Sequence, residues 1–301
     1  MFKTVILASV ACGALLLGAC EARVNAQNAS SPSQGQPYVL TGTQVWSVPD
    51  PVSKRDYEIF VSLPASYDSQ PQRTYPVLYV TDADYAFPII RQIARRVNLN
   101  GPVIEEFILV GLSYSKGDSG TDSRRRDYTP TPNGPRSSAG AVHGGGAVYQ
   151  AYLKQEVLPY VEARFRADPA RRLLLGHSFG GLLGAQIMFT EPDLFSGYIL
   201  GSPSFWYDQK HVMKMEAAYA RDHQNLPAKV FMYMGGYETH GSTRRHSDYD
   251  MVGDMKRMEE ALKSRAYKDL EVRSVTLDDE DHLTVAPNGF TRGLMALLPV
   301  K

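Results

Sequence analysis

Six short apolar runs, each followed by a stretch with helical spacing, constrain this chain more than any other feature. They are PVLYVTD (76–82), EFILVGLSY (106–114), RRLLLGHS (171–178), GYILGSPS (197–204), KVFMYMGG (229–236) and LEVRSVTLD (270–278). A strand apolar on both faces must be covered on both, and strands joined through helices run parallel, so the pattern predicts a mainly parallel sheet flanked by helices. Two earlier segments, 38–47 and 56–63, alternate apolar and polar residues as half-buried strands do, and predict an antiparallel opening. Helices are expected at roughly 85–98, 146–166, 179–190, 209–222, 249–266 and 286–298. In the second of these, Val148, Tyr152, Val157 and Val161 recur at helical intervals. Residues 115–145 show no apolar periodicity and read as a long loop, a feature that in a compact domain is usually functional or disordered. It leaves a strand end, so it can reach over the carboxyl edge of the sheet, where functional residues gather in such folds.

The amino-terminal segment belongs outside this fold. Lys3 precedes an apolar run from Val5 to Leu17, too short to span a bilayer comfortably and shaped like an export signal. The run ends in Leu17-Gly18-Ala19-Cys20, which resembles a bacterial lipobox and marks Cys20 as a lipidation site; simple cleavage after Ala26 is the alternative. Residues 21–37, rich in Ala, Asn, Gln, Ser and Gly, read as a flexible tether, leaving 38–301 as a single domain. The expected location is periplasmic, with a membrane tether through Cys20. Cys12, the other cysteine, lies within the signal, so the mature chain has no internal disulfide or cysteine metal site. The 32 acidic and 32 basic residues cancel, which removes bulk attraction to nucleic acid. There is no HExxH, no phosphate-binding loop and no dinucleotide fingerprint, so neither metal nor cofactor is expected.

The chemistry centres on Gly176-His177-Ser178-Phe179-Gly180, a G-x-S-x-G pattern set between the run Leu173-Leu174-Leu175 and a helix rich in small and apolar residues. That is the strand, sharp turn and helix that a nucleophile elbow requires. Glycines at 176 and 180 fit the need for close backbone approach around a strained serine, and the Phe179 N–H at the helix start can donate to a developing oxyanion. A serine hydroxyl needs a base, and the base a carboxylate to fix its tautomer. Of the seven histidines, only His282 follows the last predicted strand with a helix behind it. Glu238, just past KVFMYMGG, is the first choice of acid; Asp248, Asp250, Asp254 and Asp278 to Asp281 remain open. The second oxyanion donor is expected at the Ala83 N–H, after the strand ending at Asp82. His143-Gly144-Gly145-Gly146 mimics a glycine-rich oxyanion loop but follows the wrong strand, and reads as a helix entrance.

These residues resemble the esterase D-like branch of the α/β-hydrolases, which includes enterochelin and salmochelin esterases. The matching pieces are Tyr79 to Asp84, Arg126 to Thr131, Gly176 to Gly181, Gly201 to Trp206, Gly236 to Glu238 and Asp281-His282. The resemblance implies an α/β-hydrolase fold, catalytic Ser178 and His282 with support from Glu238, and oxyanion N–H groups at Phe179 and Ala83. Asp84, Tyr85, Arg126, His177 and Trp206 are then expected to meet the substrate. Relatives commonly carry Asp-Gly where this chain has Asp82-Ala83, and the acid position varies among them. Arg124 to Arg126 could meet an anionic or catecholate ligand, or Arg126 could pair with Asp127 while the others face solvent. The leading expectation is an exported serine esterase acting on a small carboxylic ester, such as a siderophore ester. An acyltransferase, and a non-catalytic binding protein that keeps the fold, stay open beside it.

Overall fold

The computed structural model describes residues 35, 37–135, 140–244 and 248–300, so the expected signal, Cys20 and most of the tether lie outside the described residues. Met1–Val39 forms a unit of its own, and the sheet with its helices belongs to the second unit, Leu40–Lys301.

The alternation of runs and helices becomes one eight-stranded sheet in the order β1-β2-β4-β3-β5-β6-β7-β8. Strands β1 (Thr43–Ser47) and β2 (Glu58–Ser62) are antiparallel to each other, and β2 is antiparallel to β4 (Ile108–Leu112). All remaining pairs, through β3 (Tyr75–Val80), β5 (Ala167–His177), β6 (Gly197–Gly201), β7 (Lys229–Gly235) and β8 (Glu271–Leu277), are parallel. Side chains alternate across the sheet as the pleat demands. Val77, Tyr79 and Leu174 point into one core layer, Leu78, Val80, Leu173 and Leu175 into the other.

Helices α1 (Ala83–Val97) and α8 (Val285–Leu297) close the second layer with Phe87, Ile90, Phe290 and Leu294. The first layer is closed by α3 (Gly146–Tyr152), α4 (Leu158–Arg164), α5 (Phe179–Thr190), α6 (Tyr207–Asp222) and α7 (Met251–Arg265). This is the α/β-hydrolase architecture. Among the described residues no helix is long and apolar enough to cross a membrane.

Two segments depart from the pattern read in the sequence. The stretch expected as one helix over 146–166 is broken by a wide turn at Leu153–Val157 between α3 and α4. Pro159 in the first turn of α4 has no N–H to give the carbonyl four residues back, and a π turn absorbs the mismatch. The inward face is carried by Tyr149, Tyr152, Leu153, Val157 and Val161, whereas Val148 is exposed. The long segment 115–145 is also not a plain loop: it contains α2 (Gly120–Asp127). This helix is almost wholly polar, so it has no apolar stripe to announce it. It is started by Ser119, whose Oγ accepts from the Asp122 N–H at 3.1 Å and donates to the Asp122 carboxylate at 2.7 Å.

Leu174 is fully buried in β5, with β3 and β6 on either side. Leu174→Ala is expected to cost about 2–5 kcal/mol of unfolding free energy, read by urea titration, because a site between two strands cannot collapse around the missing methyls.

Candidate active site

The strand order reverses direction between β3 and β5, so the helices that follow these neighbours depart on opposite faces and leave a crevice at their carboxyl ends. Ser178 sits at this switch point. Its backbone has φ 61° and ψ −118°, a conformation an L-residue adopts only under constraint. The constraint is visible: the Ser178 N–H donates to the Gly201 carbonyl at 2.8 Å, and the Ser178 carbonyl accepts from Ser204 N–H at 3.2 Å and Leu182 N–H at 3.0 Å. A β-carbon on Gly176 would lie 2.2 Å from the Gly180 carbonyl oxygen, and one on Gly180 2.2 Å from Thr81 Oγ1. The turn closes only because both positions are glycine.

His282 follows β8 and lies on the loop that enters α8. Its Nδ1 is 2.6 Å from Glu238 Oε2, with Glu238 fully buried. The other oxygen, Oε1, accepts from Ser202 Oγ at 2.6 Å and from the Gly235 N–H at 2.8 Å. An ionised carboxylate only accepts, so Nδ1 carries the proton and Nε2 keeps a lone pair. Of the alternative acids, Asp248 lines the cavity that Ser178 and His282 share, whereas Asp250, Asp254 and Asp281 are engaged elsewhere. Asp250 caps α7 by accepting from the Gly253 N–H, and Asp254 pairs with Lys210 at 2.7 Å and Arg257 at 2.5 Å. Asp281 turns back on its own loop, accepting from the N–H groups of Leu283 at 2.9 Å and Thr284 at 3.1 Å.

Ser178 and His282 share a cavity of about 560 Å³ with His177, Phe179, Tyr85, Trp206 and Arg124. Trp206 stacks on Tyr249 with ring centroids 3.9 Å apart and planes within 5°, and this pair forms one wall. A cavity of about 670 Å³ lies at the opposite edge, beside Ser62 at the end of β2 and Phe107 before β4, and no histidine is among its described lining residues. Phe179 and Ala83 are the first residues of α5 and α1, where N–H groups have no intrahelical acceptor. Asp82, just before Ala83, is left-handed (φ 54°, ψ 47°) and buried.

Two expected substrate contacts are not brought here. Arg126 is held by Asp127 (Nε at 2.8 Å) and Asp118 (Nη1 at 2.6 Å) and does not line the cavity, because a carboxylate beside it in sequence satisfies its fork first. Asp84 is exposed on the first turn of α1, also outside the lining. The arginine of that cluster that reaches the cavity is Arg124, not solvent-facing as one reading of the sequence has it. Its Nε and Nη2 donate to the Asp82 carboxylate at 2.9 and 3.3 Å, and Nη2 also donates to the His177 carbonyl at 3.3 Å. Burial works against the charge, but the Asp82 carboxylate outweighs it and holds the guanidinium above the ordinary arginine range. Tyr114 completes the cluster, donating to Asp82 Oδ1 at 2.7 Å. Arg124, Tyr114 and Ser202 were not singled out for these places by sequence reasoning. The Ser119-x-x-Asp122 start of α2 is the signal that could have found the first, by setting the helical phase of the arginines. His143 borders α3, as a helix-entrance residue would, with Nδ1 3.0 Å from Tyr207 Oη.

An eight-stranded, mainly parallel sheet with a serine on a strained turn after its central strand defines an α/β-hydrolase. The chain belongs to the esterase family described as "Putative esterase", whose model matches residues 51–274. It is similar to the ferri-bacillibactin esterase BesA of Bacillus subtilis, 27% identical over 269 residues that cover 85% of this chain and 90% of that protein. It is also similar to a siderophore triacetylfusarinine C esterase of Aspergillus fumigatus, 31% identical over 191 residues, 61% of this chain and 64% of the other. Among solved structures, siderophore hydrolase EstB from Aspergillus nidulans superposes with a TM-score of 0.74 at 25% identity, covering 88% of this chain and 98% of that one. These relatives place the chain in a siderophore esterase-like branch of ester hydrolases.

The Asp281 carboxyl is held below its ordinary value of 3.8: burial pushes it up, but the N–H groups of Leu283 and Thr284 and the Thr284 hydroxyl outweigh burial. A carboxyl lowered in the folded state stabilises above its unfolded value, and that contribution is lost as pH falls through the lower folded value. Below pH 3.8, therefore, the parent is expected to lose stability more steeply than Asp281→Asn, as read by thermal midpoints across an acid series.

Proposed function

We propose that this chain is an exported serine carboxylic-ester hydrolase that acts through an acyl-enzyme on Ser178. The observation that carries the reading is the 2.6 Å contact of buried Glu238 with His282, which lines one cavity with a serine on a strained turn. Ser178 Oγ attacks the ester carbonyl while its proton passes to His282 Nε2, and Glu238 stabilises the imidazolium that results. The tetrahedral oxyanion is received by the N–H groups of Phe179 and Ala83, with the Arg124 cation close by. Collapse expels the alkoxide, which takes the proton from His282. Water then repeats the attack on the acyl-enzyme and releases the acid.

A siderophore ester is the favoured substrate class, supported by the named activities of the relatives and by aromatic walls that suit a bulky ligand. The apolar run Val5–Leu17 ending at Cys20 supports export and anchoring through a lipid on Cys20.

Ser178→Ala is expected to lower kcat by at least about 10³-fold on p-nitrophenyl and siderophore esters and to abolish labelling by a fluorophosphonate, while Glu238→Gln costs about 10²- to 10⁴-fold. A folded alanine variant hydrolysing at the parent rate removes the reading. For the anchor, Cys20→Ala is expected to move the protein from the membrane fraction to the soluble one; unchanged partition means simple cleavage.

A further inference from the structure

We propose that His177 is a positioning residue that locks the base against the nucleophile, rather than a substrate contact. The proposal rests on the serine-hydrolase reading above. His177 directly precedes Ser178 and is 7% exposed, with both ring nitrogens near oxygen atoms. Nε2 is 2.8 Å from the main-chain carbonyl of His282, and Nδ1 is 3.2 Å from Tyr233 Oη. A carbonyl can only accept, so Nε2 carries the hydrogen; in the neutral ring Nδ1 then accepts from the Tyr233 hydroxyl. The His282 carbonyl thereby fixes the tautomer, and Tyr233 supports it by donating to the ring nitrogen left bare. The ring also packs on the base itself, with centroids 4.8 Å apart and planes tilted by 45°.

The bond closes a circuit. The Ser178 N–H donates to Gly201; the next residue, Ser202, donates through Oγ to Glu238; Glu238 accepts from His282; and the His282 carbonyl returns to His177, bonded in the chain to Ser178. Glu238 and the ends of β6 and β7 tie the loop carrying the base to the elbow by a longer route, and the His177 bond shortens it to one step. Tyr233 is itself rigidly seated: a β-carbon on Gly201 would fall 2.0 Å from its ring and hydroxyl, and one on Gly289 2.3 Å from its ring. The supporting hydroxyl therefore has little freedom to leave. Proton transfer from Ser178 to His282 requires the two heavy atoms to come within about 2.6–3.2 Å, an approach that this clamp guides from the backbone side.

The test compares His177→Leu, His177→Gln and Tyr233→Phe with the parent and with Ser178→Ala, using kcat and KM on a p-nitrophenyl ester, the rate of fluorophosphonate labelling, and thermal midpoints. His177→Leu is expected to lower kcat by about tenfold or more with KM within about twofold, and to slow labelling equally, the scale of one lost positioning hydrogen bond. His177→Gln, whose amide can still donate to the His282 carbonyl, is expected to recover most of that loss. Tyr233→Phe is expected to slow kcat without altering KM. The proposal is overturned if folded His177→Leu keeps the parent kcat, if it raises KM alone, or if Leu and Gln variants are equally slow. Should His177→Leu not fold, the other two decide: a near-parent Gln variant with a slowed Tyr233→Phe supports the clamp, and any other combination refutes it. Activity surviving in Ser178→Ala refutes the hydrolase reading itself, whereas full activity in the His177 variants with an inactive Ser178→Ala refutes the clamp alone.

Discussion

The left-handed backbone of Ser178 is the constraint on which the rest of the site depends. A non-glycine residue at φ 61° and ψ −118° costs about 1–3 kcal/mol, and it persists only where its surroundings over-determine it. Here they do so from three sides. β5 enters the turn between two hydrogen-bonded neighbours and is buried on both faces where it ends. α5 leaves it buried from Gly180 to Phe189. The Gly201 carbonyl at the end of β6 fixes the one N–H that neither element uses. Strain at the serine is thus offset by apolar burial a few residues away, and the hydroxyl is presented without any freedom of its own backbone.

That dependence explains why the fold was largely legible in the sequence. Apolar runs buried on both faces are hard to disguise, and every strand and most helices were readable from period and length, with ends moving by a few residues; β1 begins at Thr43 rather than at 38. What was not legible was structure held by polar contacts. α2 buries only Ser123 and Asp127, so nothing in its apolar content separates it from a loop. Its register nevertheless decides which arginine turns to the crevice, since neighbouring side chains on a helix point about 100° apart. Arg126 falls beside Asp127 and Asp118, and Arg124 falls beside Asp82.

The candidate site was legible to a different degree at each position. Ser178, His282 and Glu238 each follow the end of a core strand, so topology alone carries them to one edge, and the structure brings Glu238 and His282 into contact there. Its place just past a strand made Glu238 the first choice, but spacing did not exclude Asp250, Asp254 and Asp281, which lie in equally polar stretches. Three-dimensional partners separate them: a helix cap takes Asp250, ion pairs take Asp254 and loop N–H groups take Asp281, while the Glu238 backbone is pinned by its own N–H to Gly235 and its carbonyl to the Val252 N–H. Roles of residues that act through others, such as Ser202, leave no sequence signature at all.

Two buried carboxylates flank the serine, and their partners divide the work between them. Asp82 and Glu238 are 1% and 0% exposed, and each is surrounded by three hydrogen-bond donors, which is what a buried charge requires. Asp82 faces a guanidinium, which offers only donors, so that pair serves as a fixed brace between the start of α1, helix α2 and the elbow. Glu238 faces an imidazole, whose second ring nitrogen can accept while the first donates. In the proposed reaction, exchanging the partners would leave a donor-only group at the position of the base. In the proposed reaction the same elementary interaction, a carboxylate bonded to a nitrogen donor, therefore supplies rigidity on one side and a base on the other, and the difference lies in whether the partner can also accept a hydrogen bond.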